Sequence, residues 1–388
     1  MAENSFEAFD YRTGKPIHIA TQNGHITRVL KCDTNLDPNL MVAPGLVDLQ
    51  VNGYKGIDLN QEDLEIDSVR KLTKLLWEQG ITTFYPTIIT NSDKVISKLL
   101  TIIAEACNTN PETDVSIGGI HLEGPFLSKE DGPRGAHPKQ YIKAPDWELF
   151  SHWQKCANGR IKMITMAPEW EGAIAFIKKC VATGVVVAIG HTAATSLQIK
   201  QAVEAGATIS THLGNASHQL LPRHENYIWE QLATESLWST FIADGFHLPV
   251  ALLKIFLKIK SNKAILISDA TAFAGLSAGS YTTHIGGEVE LDNHGRLSMK
   301  DHPSMLAGSA HSLPWCIDHL VRENILRFQE AWDLASIAPT QFFAKETITA
   351  FEEGKPADFV LFKNSNQGIK ILKTIKSGEV VFSLTDHT

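Results

Sequence analysis

The sequence is poor in cysteine. It has five in 388 residues, at Cys32, Cys107, Cys156, Cys180 and Cys316, an odd number with no C-x-x-C spacing. That argues against a disulfide framework or a thiolate zinc site, and predicts a reducing, cytoplasmic setting. Dense Lys/Arg runs are missing too, and the formal net charge is −8. The electrostatic footprint of nucleic-acid binding is therefore absent, and an anionic substrate would have to be met by local cations. No apolar run approaches the ~20 residues needed to cross a bilayer, so no membrane partner is expected. The opening "MAENSFEAFDYRTGK" has acidic residues and no apolar stretch, which does not read as a secretory signal. No G-x-G-x-x-G follows the first strand-like run, which weighs against a doubly wound dinucleotide fold.

What the chain does have is alternation. Hydrophobic residues make up 43% and charged residues 20%, an ordinary balance for a soluble globular protein. Eight short runs rich in β-branched residues stand out: 45–53, 81–89, 115–124, 161–169, 185–192, 207–215, 239–247 and 264–271. Segments with helical spacing separate them, such as "EDLEIDSVRKLTKLLWEQG" and "SDKVISKLLTIIAEACN", the second opening on a Ser/Asp cap signal. More helix follows the eighth run, in "SAHSLPWCIDHLVREN" and "FQEAWDLASIAP". The pattern predicts an α/β fold, a (β/α)8 TIM-type barrel over 45–348. Residues 1–44 and 349–388 do not fit it. "KPIHIATQNGHITRVL" reads as a hairpin about Asn-Gly, and the C-terminal segment reads as strands and turns. Together they predict a small β-sandwich domain formed by the two ends. One further hairpin is expected at 286–299.

Barrel enzymes carry their chemistry at the C-terminal ends of the strands. Glu123, His191 and His212 fall there on strands three, five and six. One carboxylate and two imidazoles make an open hydrolytic site for one divalent metal ion per subunit, zinc or iron(II). Asp269, in "LISDAT", is placed to act as general base toward an attacking water and then as acid toward the leaving group. Asp244 and His247 end strand seven. His121 lies deeper than Glu123 and reads as a core or supporting histidine. Strand four has no Lys at its end, which weakens any scheme with a modified lysine bridging two metals. Many metal hydrolases place His-x-His at the end of the first strand. Here those places hold Gln50 and Asn52, poor ligands for a transition metal. They are expected to be polar walls of a one-metal site.

The motifs in order are "PGLVDLQVNG", "GIHLEGPFL", "RGAH", "MAPE", "GHT", "THLGNA", "ADGFH", "SDATAFAG", "LAGS" and "GKPADFVLF". Over nearly the whole chain this series resembles the N-acetylglucosamine-6-phosphate deacetylase family of the amidohydrolase superfamily. The resemblance implies a homodimer that hydrolyses the acetamide of a phosphorylated amino sugar. By matching motif it implies that His137 and His247 contact the sugar, with His137 also helping to stabilise the oxyanion. Asn215 and Ala216 would offer backbone N–H groups to the phosphate. Arg223 is the nearest match to an arginine that reaches the phosphate, in some members from the partner subunit. The chain departs from the family pattern at Gly214, where an aromatic is usual, and around Arg223 in "PRHEN". Two alternatives stay open: the same chemistry on N-acetylgalactosamine 6-phosphate or another N-acyl compound, and a catalytically inactive scaffold.

Overall fold

In the computed structural model, which describes residues 3–32, 37–283, 287–345 and 347–384, each of the eight runs forms a strand of one parallel sheet. The strands are Leu46–Val51, Ile81–Ile89, Ile120–Glu123, Ile161–Met166, Val186–Ile189, Ile209–Ser210, Trp238–Ile242 and Ala264–Ile267, with spatial order equal to chain order. The ring closes between first and last. Asn52 and Gly53 donate their N–H groups to the Ala270 carbonyl at 2.8 and 3.0 Å, and Val51 bridges Ala270 in parallel. Gly53 is required by this closure. A Cβ there would stand 2.2 Å from the Ile57 carbonyl oxygen and 2.9 Å from the Ala272 nitrogen.

Local signals start the helices between strands. Ser92 accepts from the Val95 N–H to cap helix Asp93–Thr109, and Thr195 and Gln198 form a capping box on Ser196–Glu204. The sixth strand is much shorter than the run 207–215. His212 leaves the extended region (φ 29°), and its N–H goes to the Thr240 hydroxyl at 2.7 Å in place of a ladder carbonyl. "FQEAWDLASIAP" also divides, into helices Phe328–Leu334 and Ile337–Ala344. Between them the Ala335 carbonyl accepts from Val47 N–H at 2.8 Å, tying the break to the first barrel strand.

Alternate strand residues fill the barrel lumen: Leu49, Tyr85, Met163, Ala188, Ile209, Ile242 and Ile265 are all buried. Phe342 and Phe343 of helix Ile337–Ala344 pack on the lumen from the strands' N-terminal side, beside Val47, Val186 and Trp238, with Phe343 stacked on Tyr85 at 4.8 Å. One end is thus plugged with apolar groups. The other is left to the polar strand ends.

The terminal segments share one seven-stranded sheet. Strands Asn4–Asp10, Pro16–Gln22, His25–Lys31 and Leu40–Pro44 join Phe359–Ser365, Gly368–Lys376 and Glu379–Ser383. Asn23 and Gly24 both take positive φ (52° and 84°), as a two-residue type I′ hairpin turn requires. Leu40–Pro44 pairs antiparallel with Phe359–Ser365 and leads directly into the first barrel strand. The late hairpin is present in enlarged form, a three-stranded sheet of Gly279–Thr282, Glu288–Leu291 and Leu297–Met299. Gly286, the first residue of that expected hairpin, lies outside the described residues. No helix among the described residues is long and apolar enough to cross a membrane.

Candidate metal centre

Glu123, His191 and His212 converge at the open end of the barrel, all three buried. Their ligand atoms lie within 4.8 Å of one another. The Nε2 atoms of His191 and His212 are 3.1 Å apart, and stand 3.2 and 3.0 Å from the same Glu123 oxygen, Oε1. His191 Nδ1 lies 2.9 Å from the Pro133 carbonyl, so the proton sits on Nδ1 and the Nε2 lone pair points into the cluster. Two imidazole nitrogens and a carboxylate oxygen gathered at one buried point fit a divalent cation and suit zinc or iron(II). Burial by itself would raise the Glu123 pKa. The His191 and His212 rings beside it outweigh that effect and hold the carboxylate well below its usual range. Among the described residues no other trio of His, Cys, Asp or Glu forms such a cluster.

The backbone is bent to make this possible. His191, His212 and Asp269 have φ of 50°, 29° and 48°, a left-handed conformation uncommon for residues other than glycine. Such conformations cluster at functional sites because they re-aim a side chain at the end of a strand.

Gln50 and Asn52 line this mouth as expected, and act as donors. Gln50 Nε2 donates to Glu123 Oε1 at 3.0 Å. Asn52 Nδ2 donates to Asp269 Oδ1 at 2.7 Å. Each amide thus orients one acidic group of the cluster. Asp269 is partly open at the barrel mouth. Loss of hydration, reinforced by the nearby Glu123 charge, pushes its pKa up to about 6. A carboxyl group poised there can take and return a proton near neutral pH.

His137 reaches the cluster from the loop after strand three. Its ring meets that of His191 edge-on at 4.4 Å between centroids, and Nδ1 lies 2.9 Å from the Thr90 hydroxyl. Burial pushes its pKa down to about 3, so the ring is neutral. Arg134 pins the loop by donating to the His137 carbonyl at 2.7 Å and pairing with Asp131 at 2.8 Å. His121 is a supporting core residue as read: its Nδ1 lies 3.2 Å from the Leu49 carbonyl and its Nε2 2.7 Å from the Thr165 hydroxyl. Glu169 accepts from Thr192 and Ala193 and ties down the turn that bears His191.

The remaining expected residues are placed less uniformly. His247 is partly buried on the turn after strand seven, with Nδ1 2.7 Å from Asp244 Oδ2. Asn215 follows His212, but its backbone N–H already donates to the His212 carbonyl at 3.0 Å. Ala216 sits beside it with φ 46°. Arg223 is exposed on the following loop. Gly214 has φ 97°, and Leu248 and Phe256 stand 2.9 Å from where its Cβ would be. The room a larger residue would take at that position is filled from the neighbouring segment. Thr90, Asn52 as a donor, and Asp244 as a partner of His247 were not assigned these roles by spacing; each contact joins residues of different loops or depends on a turn. A cavity of about 530 Å³ lies elsewhere, lined by His294, Trp315, Arg322 and Gln367 among others, and by none of the four acid or imidazole groups of the centre.

A parallel eight-stranded barrel with a carboxylate–imidazole cluster and an adjacent aspartate at its C-terminal mouth is the architecture of a metal-dependent hydrolase. The chain belongs to the amidohydrolase family, whose model matches residues 41–381. A Caenorhabditis elegans N-acetylglucosamine-6-phosphate deacetylase is 32% identical over 397 residues, covering 96% of this chain and 92% of that protein. The solved Thermotoga maritima N-acetylglucosamine-6-phosphate deacetylase is 27% identical with a TM-score of 0.81, covering 95% of each chain. The Mycobacterium smegmatis enzyme of that name, solved as a mutant in complex with N-acetyl-D-glucosamine-6-phosphate, shares the fold. Its TM-score is 0.85 at 24% identity, over 99% of this chain and all of that one.

Proposed function

We propose that this protein hydrolyses the acetamide of N-acetylglucosamine 6-phosphate to glucosamine 6-phosphate and acetate. The observation that carries the reading is the convergence of Glu123, His191 and His212 beside Asp269 at one barrel mouth. Glu123, His191 and His212 would hold one divalent ion per subunit, zinc or iron(II). When bound, that ion supplies Lewis acidity, polarising the amide carbonyl and lowering the pKa of water.

The chain's own groups supply the rest. Asp269 accepts a proton as water attacks the carbonyl carbon, and delivers it to the amine nitrogen as the C–N bond breaks. Asn52 holds that carboxylate on Oδ1 and leaves the other oxygen for the water. With the Thr90 hydroxyl donating to Nδ1, neutral His137 presents Nε2–H as a donor to the developing oxyanion. His247 meets the sugar hydroxyls. The backbone at Ala216 and the side chain of Arg223 receive the phosphate.

Arg223 is exposed, and so are two large apolar residues near it, Leu220 and Trp229. That supports a homodimer in which this segment meets the partner. The reduced cysteines fit a cytoplasmic enzyme. Acetate release from N-acetylglucosamine 6-phosphate, N-acetylgalactosamine 6-phosphate and free N-acetylglucosamine, together with metal content on the same sample, tests the reading. The first compound is expected to be turned over best, with one metal per chain. Equal turnover of the free sugar would refute the phosphate assignment. No turnover with any added divalent metal would favour an inactive scaffold.

A further inference from the structure

The turn after strand seven, Ala243–His247, holds a buried carboxylate that the reaction as written does not use. Asp244 is 3% exposed. Its Oδ1 accepts from the backbone N–H groups of Phe246 and His247 at 2.9 and 3.0 Å. Its Oδ2 stands 2.7 Å from His247 Nδ1. Burial would raise its pKa, but the His247 ring and the two N–H groups prevail and bring it down to about 2. Asp244 is therefore a carboxylate and can only accept. His247 must carry a proton on Nδ1. Its other nitrogen, Nε2, has no hydrogen-bond partner among the described residues, and the ring is only partly buried.

The turn is held from outside. Trp315 Nε1 donates to the Asp244 carbonyl at 3.1 Å. Gly245 (φ 93°) is so close to His319 that a Cβ would lie 3.0 Å from its ring. Phe246 lies parallel to His311 at 5.9 Å, and His311 is stacked on Trp315 at 4.1 Å. These three contacts come from His311 and from helix Leu313–Arg322, the first helix after the inserted three-stranded sheet. The turn has little freedom to re-form around a changed side chain.

Resting on the deacetylase reading, we propose that Asp244 is a positioning residue for the reaction. It imposes the Nδ1–H tautomer on His247, so that Nε2 is a hydrogen-bond acceptor for a sugar hydroxyl. Asp244→Asn tests this sharply because the two backbone N–H groups demand an oxygen at Oδ1. The amide NH2 must then face His247 Nδ1, and the ring inverts to the Nε2–H tautomer, a donor where the substrate needs an acceptor.

The experiment uses the metal-loaded protein. With 15N-labelled histidine at pH 8, His247 (assigned by loss of its signal in His247→Gln) should be protonated on Nδ1 and bare on Nε2 in the native protein. It should be reversed in Asp244→Asn. The variant should retain its metal, while kcat/KM falls about 100-fold. Most of the loss should lie in KM, because a ground-state hydroxyl contact is lost. The double variant with His247→Gln should lose no more than His247→Gln alone. A native His247 bare on Nδ1, or an Asp244→Asn protein with native KM and kcat, would overturn the proposal. If Asp244→Asn does not fold, the native tautomer still decides it. A native protein inactive on every N-acetyl sugar would overturn the deacetylase reading instead, and leaves the tautomer measurement standing as a separate result.

Discussion

At the scale of single residues, the centre is organised by donors to two carboxylates. Asp269 and Glu123 are each held by an amide from the first strand, Asn52 and Gln50. Asp269→Asn should lower kcat by at least ~100-fold while leaving metal content unchanged, because general acid–base catalysis is lost and no ligand is removed. Acetate release beside metal analysis of the same sample checks this. The proposed base must be ionised to work, so activity should fall as pH drops through the Asp269 pKa. That pKa is raised to about 6 by loss of hydration and the Glu123 charge, and a bound cation acts in the opposite direction. The acidic limb of kcat/KM is therefore expected at or below about pH 6. Gln50→Ala removes a donor from Glu123, and should weaken metal affinity by ~10-fold, read by competition with a chelator.

Individual elements differ in how well their sequence announced them. The barrel strands and their helices were legible because each strand is a short apolar run and each helix has its own period and cap, as with Ser92 and Thr195. The sixth strand was overestimated. Nothing in "ATISTHLGN" shows that His212 will turn its N–H to Thr240, a residue on the next strand. The break within the helical segment "FQEAWDLASIAP" is not legible locally, because it is tied to Val47, nearly 300 residues earlier in the chain. At Gly53 the constraint is steric, since its φ is not in the left-handed region. Gly53→Ala must displace the Ile57 carbonyl or the Ala272 backbone. That should cost ~1–3 kcal/mol and lower the thermal midpoint, with activity falling as the strand end that carries Asn52 shifts.

For the whole molecule, the two ends of the chain return to one sheet and leave the barrel mouth to the loops. The exposed segment after strand six carries Leu220 at 92% exposure and Trp229 at 46%. The native protein is expected to run as a dimer. Leu220→Glu should shift it toward monomer in analytical ultracentrifugation. Arg223→Ala should raise KM for the phosphorylated sugar about tenfold or more, with little change on the free sugar. A monomeric native protein with an unaffected Arg223→Ala variant would remove both assignments.

By itself the sequence determined the class of fold and which acid and imidazole side chains stand at the strand ends. The alternation of apolar runs and amphipathic helices is a local property, and barrel geometry sends every strand end to the same mouth. Only the tertiary structure decided how those groups act on one another. That Gln50 and Asn52 donate to Glu123 and Asp269, that Thr90 faces His137, and that helix Leu313–Arg322 clamps the turn holding Asp244 and His247 all depend on contacts between distant segments. Such contacts depend on distances of about 3 Å and on which hydrogen each group carries. A one-dimensional pattern does not contain that information.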